Sequence, residues 1–107
     1  PGVGMAVAID VGDAADIHPQ DKKSVGERLA RWALAEVYRR GGTPCGPLYA
    51  GMTSEDGGRI RIRFRHATRL HTRDNGPVRH VAIAGRRRGW YWAEAVIEGE
   101  TLVVHHP

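Results

Sequence analysis

The sequence has one cysteine, Cys45, one phenylalanine, Phe64, and no apolar run of 18 residues. A lone cysteine excludes an internal disulfide framework and leaves the redox compartment open. Without a long apolar run, or a basic segment leading into an apolar core, neither a membrane-spanning helix nor a signal peptide is expected in these residues. Zinc-ligand spacing is missing too. His66, His71, His80, His105 and His106 stand in no such pattern and there is no second cysteine, so no metal and no cofactor is expected. The first residue is Pro1 and not Met, which is the expectation for a processed chain or a fragment. What is there is 107 residues, 41% hydrophobic and 26% charged, the composition of an ordinary globular chain. A chain of this size buries too little surface to enclose a deep substrate cavity by itself.

Charge is uneven. Residues 1–46 hold six Lys or Arg and six Asp or Glu, whereas residues 47–107 hold ten and six, so the whole net charge of +4 lies in the second part. Arg59, Arg61, Arg63 and Arg65 alternate with Ile60, Ile62 and Phe64, which sets the arginines on one face of a strand and the apolar side chains on the other. Such a face is either a solvated exterior or, with Trp90, Tyr91 and Trp92, a surface that pairs phosphate contacts with stacking. Glu94, Glu98 and Glu100 follow closely and the overall field is modest, so no nucleic-acid partner is expected.

Texture divides the chain near residue 46. Before it, Met5 to Ile9 is an apolar run without clean alternation, expected as a strand buried on both faces as in a parallel sheet. A loop with Asp10, Asp13, Asp16 and His18 follows, and Pro19 stands where a first helical residue often stands. Val25, Leu29, Trp32, Ala33 and Val37 form one apolar stripe, predicting a helix over 19–40 that stops at Gly41-Gly42. After the breaker cluster Thr43 to Pro47, strands are expected at Leu48 to Thr53, Arg59 to Arg65, His80 to Ala84, Trp90 to Ile97 and Thr101 to His105. The intervening Gly, Asn and Asp suit tight reversals, and Gly85 to Gly89 is a basic turn. The fold class is α+β: strand-loop-helix, then an antiparallel β-rich, sandwich-like region. Trp90 and Trp92 share one strand face with Tyr91 opposite. One face packs and the other is free to line a sugar site, and the tryptophan pair is expected to be the packed one.

The densest chemistry is Asp16-Ile17-His18-Pro19, a carboxylate and an imidazole on a loop between a buried strand and a helix. Two readings are open from the residue types. In an extended stretch Asp16 and His18 point the same way, so the carboxylate can hold the ring N–H while the other ring nitrogen takes a proton from a nucleophile. Asp13 is a rival for that role if the loop folds over. Alternatively, Asp13 and Asp16 tie down the loop's own backbone and His18 caps the helix.

The run from Gly4 to Pro19, with Gly-Asp-Ala-x-Asp-Ile-His-Pro at its end, and the continuation Asp21 to Ala35 resemble the last strand, histidine loop and closing helix of the sialate O-acetylesterase family of SGNH-type hydrolases. Gly46-Pro47-Leu48-Tyr49, Ala82 to Gly85, Trp92 to Ala95 and Ile97 to Thr101 are similar to the β-rich region that follows in those enzymes. The resemblance implies a serine carbohydrate esterase that removes O-acetyl groups from sialic acids or related acetylated glycans. It implies residues 1–46 as the C-terminal piece of the α/β hydrolase domain and residues 47–107 as a truncated accessory β region. His18 matches the family's catalytic histidine. The position three residues before it, where many SGNH hydrolases carry the acid, is Ala15, so the acid partner implied is Asp16 with Asp13 behind it. The partners implied are an O-acetylated sugar and the rest of the parent hydrolase, with no membrane, and the parent is expected to be periplasmic or secreted.

The family's nucleophile sits in a Gly-Gln-Ser-Asn-like stretch, and none occurs here: Ser24 lies in the predicted helix and Ser54 in the β part. The oxyanion donors that acyl transfer requires are missing as well. The chain alone is therefore expected to be inactive, and both ends are expected to be cut. The alternative reading is a non-catalytic β-rich module that binds glycan or nucleic acid through the tryptophan or arginine face.

Overall fold

The computed structural model describes residues 2–85 and 89–107, and the expected basic turn at Arg86 to Arg88 lies outside the described residues. The chain is α+β, with one α-helix and two antiparallel sheets among the described residues. It forms two compact units, one ending at Gly46 and the other starting at Pro47.

In the first unit, helix α1 spans Lys22–Trp32 and runs on into a π-helical turn, Ala33–Val37. The predicted start at residue 19 is corrected to Lys22, because Asp21 is the N-cap and its carboxylate accepts from the Ser24 backbone N–H at 3.0 Å. The end comes before residue 40. Tyr38 N–H donates to Ala33 O at 2.9 Å, a five-residue step, and Arg39 then turns left-handed at φ 50°. No residue of α1 is buried.

The expected strand at Met5 to Ile9 does not form, and its side chains are not enclosed: Met5 is 73% and Ile9 92% exposed. A parallel strand exists only through backbone bonds to neighbours, and no strand of the described residues pairs with this segment. It is tied to the helix instead. Exposure still alternates, with Met5, Val7 and Ile9 open and Ala6 and Ala8 half-buried, and a side chain at Gly4 would fall 2.7 Å from the Trp32 ring. The indole therefore lies against bare backbone, which only glycine permits at that separation.

The second unit holds β1 (Leu48–Glu55), β2 (Arg59–Arg65), β3 (Ala82–Ala84), β4 (Trp90–Trp92), β5 (Glu94–Glu98) and β6 (Thr101–His105). One sheet has the order β1-β2-β6-β5 and the other pairs β3 with β4, all antiparallel. The single strand expected over Trp90 to Ile97 is broken at Ala93, whose N–H donates to Val81 O at 2.9 Å as the chain passes from one sheet to the other. Tight turns require left-handed residues at Gly57 (φ 73°) and Gly99 (φ 63°). The register of β1 on β2 slips between Tyr49 and Gly51, leaving Ala50 as a bulge.

The core is small. Among the described residues Pro44, Ala67, Val103 and Val104 are buried, the last three at 3–5% exposure. Val103 and Val104 are consecutive on an inner strand, so β6 is covered on both faces. On the Val104 side stand Ile60, Ile62 and Phe64, all half-buried. On the other side Arg61 lies directly across from Val103, where a long aliphatic stem can shield the valine while the guanidinium reaches water. The tryptophan pair is corrected: Trp90 and Trp92 are 74% and 75% exposed. The half-buried side of that hairpin is the one carrying Ile83, across the register from Tyr91.

Candidate active site and the histidine loop

Residues 10–21 form a loop organised by its own carboxylates. Asp13 Oδ1 accepts from Ala15 N–H at 2.8 Å, and Asp16 Oδ1 accepts from His18 N–H at 2.8 Å, two successive Asx turns. The same Asp16 oxygen lies 3.2 Å from His18 Nδ1. With the proton on Nδ1, the ring donates to Asp16 and Nε2 is left as the acceptor. Both residues are open to solvent, His18 at 78% and Asp16 at 51%. Asp16 holds both the loop backbone and the imidazole, and the expected helix cap is corrected from His18 to Asp21. Asp13 is committed to Ala15 and makes no bond to His18.

The base of the loop is fixed by a pair that the sequence did not single out. Arg28 from the second turn of α1 donates through Nη1 to Val7 O and Asp10 Oδ1, both at 2.6 Å, and through Nη2 to Asp10 Oδ2 at 2.8 Å. This fork ties the apolar segment and the start of the loop to the helix. Hydrogen bonding to Asp10 raises the guanidinium further above its ordinary value. The available signal was Asp10 closing an apolar run, with an arginine two turns into the next helix.

The serines are placed elsewhere. Ser24 donates from Oγ to Asp21 Oδ2 at 2.7 Å and belongs to the helix cap, while Ser54 lies on β1. The arginine face is largely paired: Arg61 bonds both Glu55 oxygens, Glu98 Oε2 at 2.8 Å and Thr101 Oγ1 at 2.8 Å, and Arg59 bonds Glu98 Oε1 at 3.2 Å. The Glu55 carboxyl is held below its ordinary value, chiefly by the hydrogen bonds from Arg61. Among the described residues no group of three or more His, Cys, Asp or Glu is gathered to hold a metal ion. No helix of the described residues is long and apolar enough to cross a membrane.

The fold of this chain has a counterpart among solved structures. The crystal structure of a carbohydrate acetylesterase from Xanthomonas citri matches it with a TM-score of 0.82 and 31% identity over 92% of this chain. The match spans 22% of that longer protein. No protein-family model and no curated protein matches the chain. The similarity supports a relationship to carbohydrate esterases.

Proposed function

We propose that this chain is the histidine-bearing part of a serine carbohydrate esterase that removes O-acetyl groups from sialic acid or related acetylated glycans. The observation that carries the reading is the Asp16–His18 pair, 3.2 Å apart on an open loop ahead of a helix, in a chain similar to part of a carbohydrate acetylesterase. Asp16 orients the ring and stabilises the imidazolium. His18 Nε2 takes the proton of a serine hydroxyl as that oxygen attacks the acetyl carbonyl, then returns a proton to the departing sugar oxygen. Water repeats the cycle on the acetyl-enzyme. The serine and the oxyanion donors belong to the rest of the parent protein, so this chain alone is expected to release no acetate.

In the longer parent, His18→Ala lowers acetyl release on the order of a thousandfold or more, while Asp16→Asn costs less because the ring stays in place. Near-normal turnover of the His18→Ala enzyme overturns the assignment. A second reading, the β unit as a non-catalytic glycan-binding module, is favoured by the exposure of Trp90 and Trp92. The pairing of Arg59 and Arg61 with carboxylates speaks against its nucleic-acid version.

A further inference from the structure

With the Asp16–His18 pair so open to solvent, its place is set by the two ends of the loop that carries it, and both ends are held by α1. At the exit, Lys22 Nζ donates to Pro19 O at 2.9 Å and Asp21 caps the helix, so His18 rides on the first turn. At the entry, the Arg28 guanidinium donates to Val7 O and to both oxygens of Asp10. Between those acceptors the chain turns, with Val11 N–H donating to Ala8 O at 3.1 Å. Asp21 and Arg28 are seven residues apart, two turns of an α-helix, which sets the cap and the fork on one side of α1, about 10 Å apart along its axis. One turn further on, Trp32 lies against the backbone at Gly4. The residues before the loop therefore run back along α1 from Trp32 to Arg28, and Arg28 is the polar tie at the loop's mouth. The tie is partly shielded, Arg28 at 27% and Asp10 at 40% side-chain exposure, which favours a charge-assisted fork over its competition with water.

We infer that Arg28 is a positioning residue for the proposed deacetylation: its fork fixes the start of α1 against the segment before the loop, and thereby where His18 Nε2 stands. The inference rests on the esterase reading above. Asp16 and Arg28 then have separate tasks, since Asp16 orients the ring and Arg28 places the oriented pair as a unit. A general base works within about 2.6–3.2 Å of the proton that it takes, and a displacement of about 1 Å costs on the order of a hundredfold in rate. Lysine is no substitute here. An ammonium is a point charge on a flexible stem, whereas the three acceptors are met by two nitrogens of one planar group.

The test is steady-state kinetics of acetyl release by the longer parent, beside nitrogen-15 spectra of the 107-residue chain. Arg28→Met keeps an aliphatic stem and removes the donors; it lowers kcat about tenfold to a hundredfold and leaves KM within about twofold. Arg28→Lys recovers only part of that loss, and Asp10→Asn, which keeps one acceptor oxygen, loses less than Arg28→Met. In the 107-residue chain the neutral His18 ring keeps its proton on Nδ1 in the Arg28→Met variant, because the pair with Asp16 is local. Thermal melting confirms that each variant is folded, and Arg28→Lys with Asp10→Asn carries the test if Arg28→Met is not. A kcat within about twofold of the parent's, a rise in KM alone, full recovery by lysine, or loss of the Nδ1 proton in the variant chain overturns the proposal. His18→Ala in the same assay separates the two readings. Normal turnover there removes the esterase reading and this inference with it, whereas an inactive His18→Ala enzyme beside a fully active Arg28→Met enzyme removes this inference alone.

Discussion

Asp16 and Glu55 show how far single residues were legible. The spacing of Asp16 and His18 along the chain was enough to bring them together, since an Asx turn is a property of two neighbours. Arg28 with Asp10, 18 residues apart, and Arg61 with Glu98, 37 apart, needed the fold. Glu55 yields a prediction at this scale. Its folded pKa is depressed by Arg61, so its stabilising effect is present above the unfolded glutamate value of about 4.3 and is lost as pH falls from there through the folded value. Glu55→Gln should therefore lower the melting temperature of the β unit more at pH 7 than at pH 3. A constant difference between the two pH values contradicts this.

Among the elements, β2 and α1 were readable because each carries its own period, and Met5 to Ile9 was not. An apolar run specifies that a segment seeks cover, while a strand also needs partners for its N–H and C=O groups, and those partners are not in the run. The tryptophan pair misled for a related reason. Alternation says that Trp90 and Trp92 share a face, and the side on which the other sheet lies decides which face is covered. Helix α1 depends on its cap more than on burial, since none of its residues is enclosed. Asp21→Ala removes acceptors for both the Ser24 N–H and its hydroxyl. It should cost about 1 kcal/mol and reduce helical ellipticity at 222 nm. An unchanged spectrum and melting curve would show that tertiary contacts hold the helix.

Across the whole molecule, stability is distributed as burial is. Val103 and Val104 sit in the β unit, whereas the exposed Val3, Met5, Val7 and Ile9 all lie in the other. Hydrogen exchange is expected to be slowest in β2 and β6 and fastest through residues 2–46. The exposed apolar side chains should also make sedimentation depend on concentration, and Met5→Ser with Ile9→Ser should relieve it. Uniform protection and a constant monomer would count against both statements. The sheet order has a further, kinetic consequence. β1 with β2 and β5 with β6 are hairpins closed by two or three residues, of the kind that forms in about 1–10 μs, while Ile60 must find Val104 across the sequence to join them. Loop closure between two preformed ribbons is then the slow step of folding. Substitutions at the Arg61–Val103 seam should act on the folding rate, while weakening of the outer edges of β1 and β5 should appear mainly in the rate of unfolding.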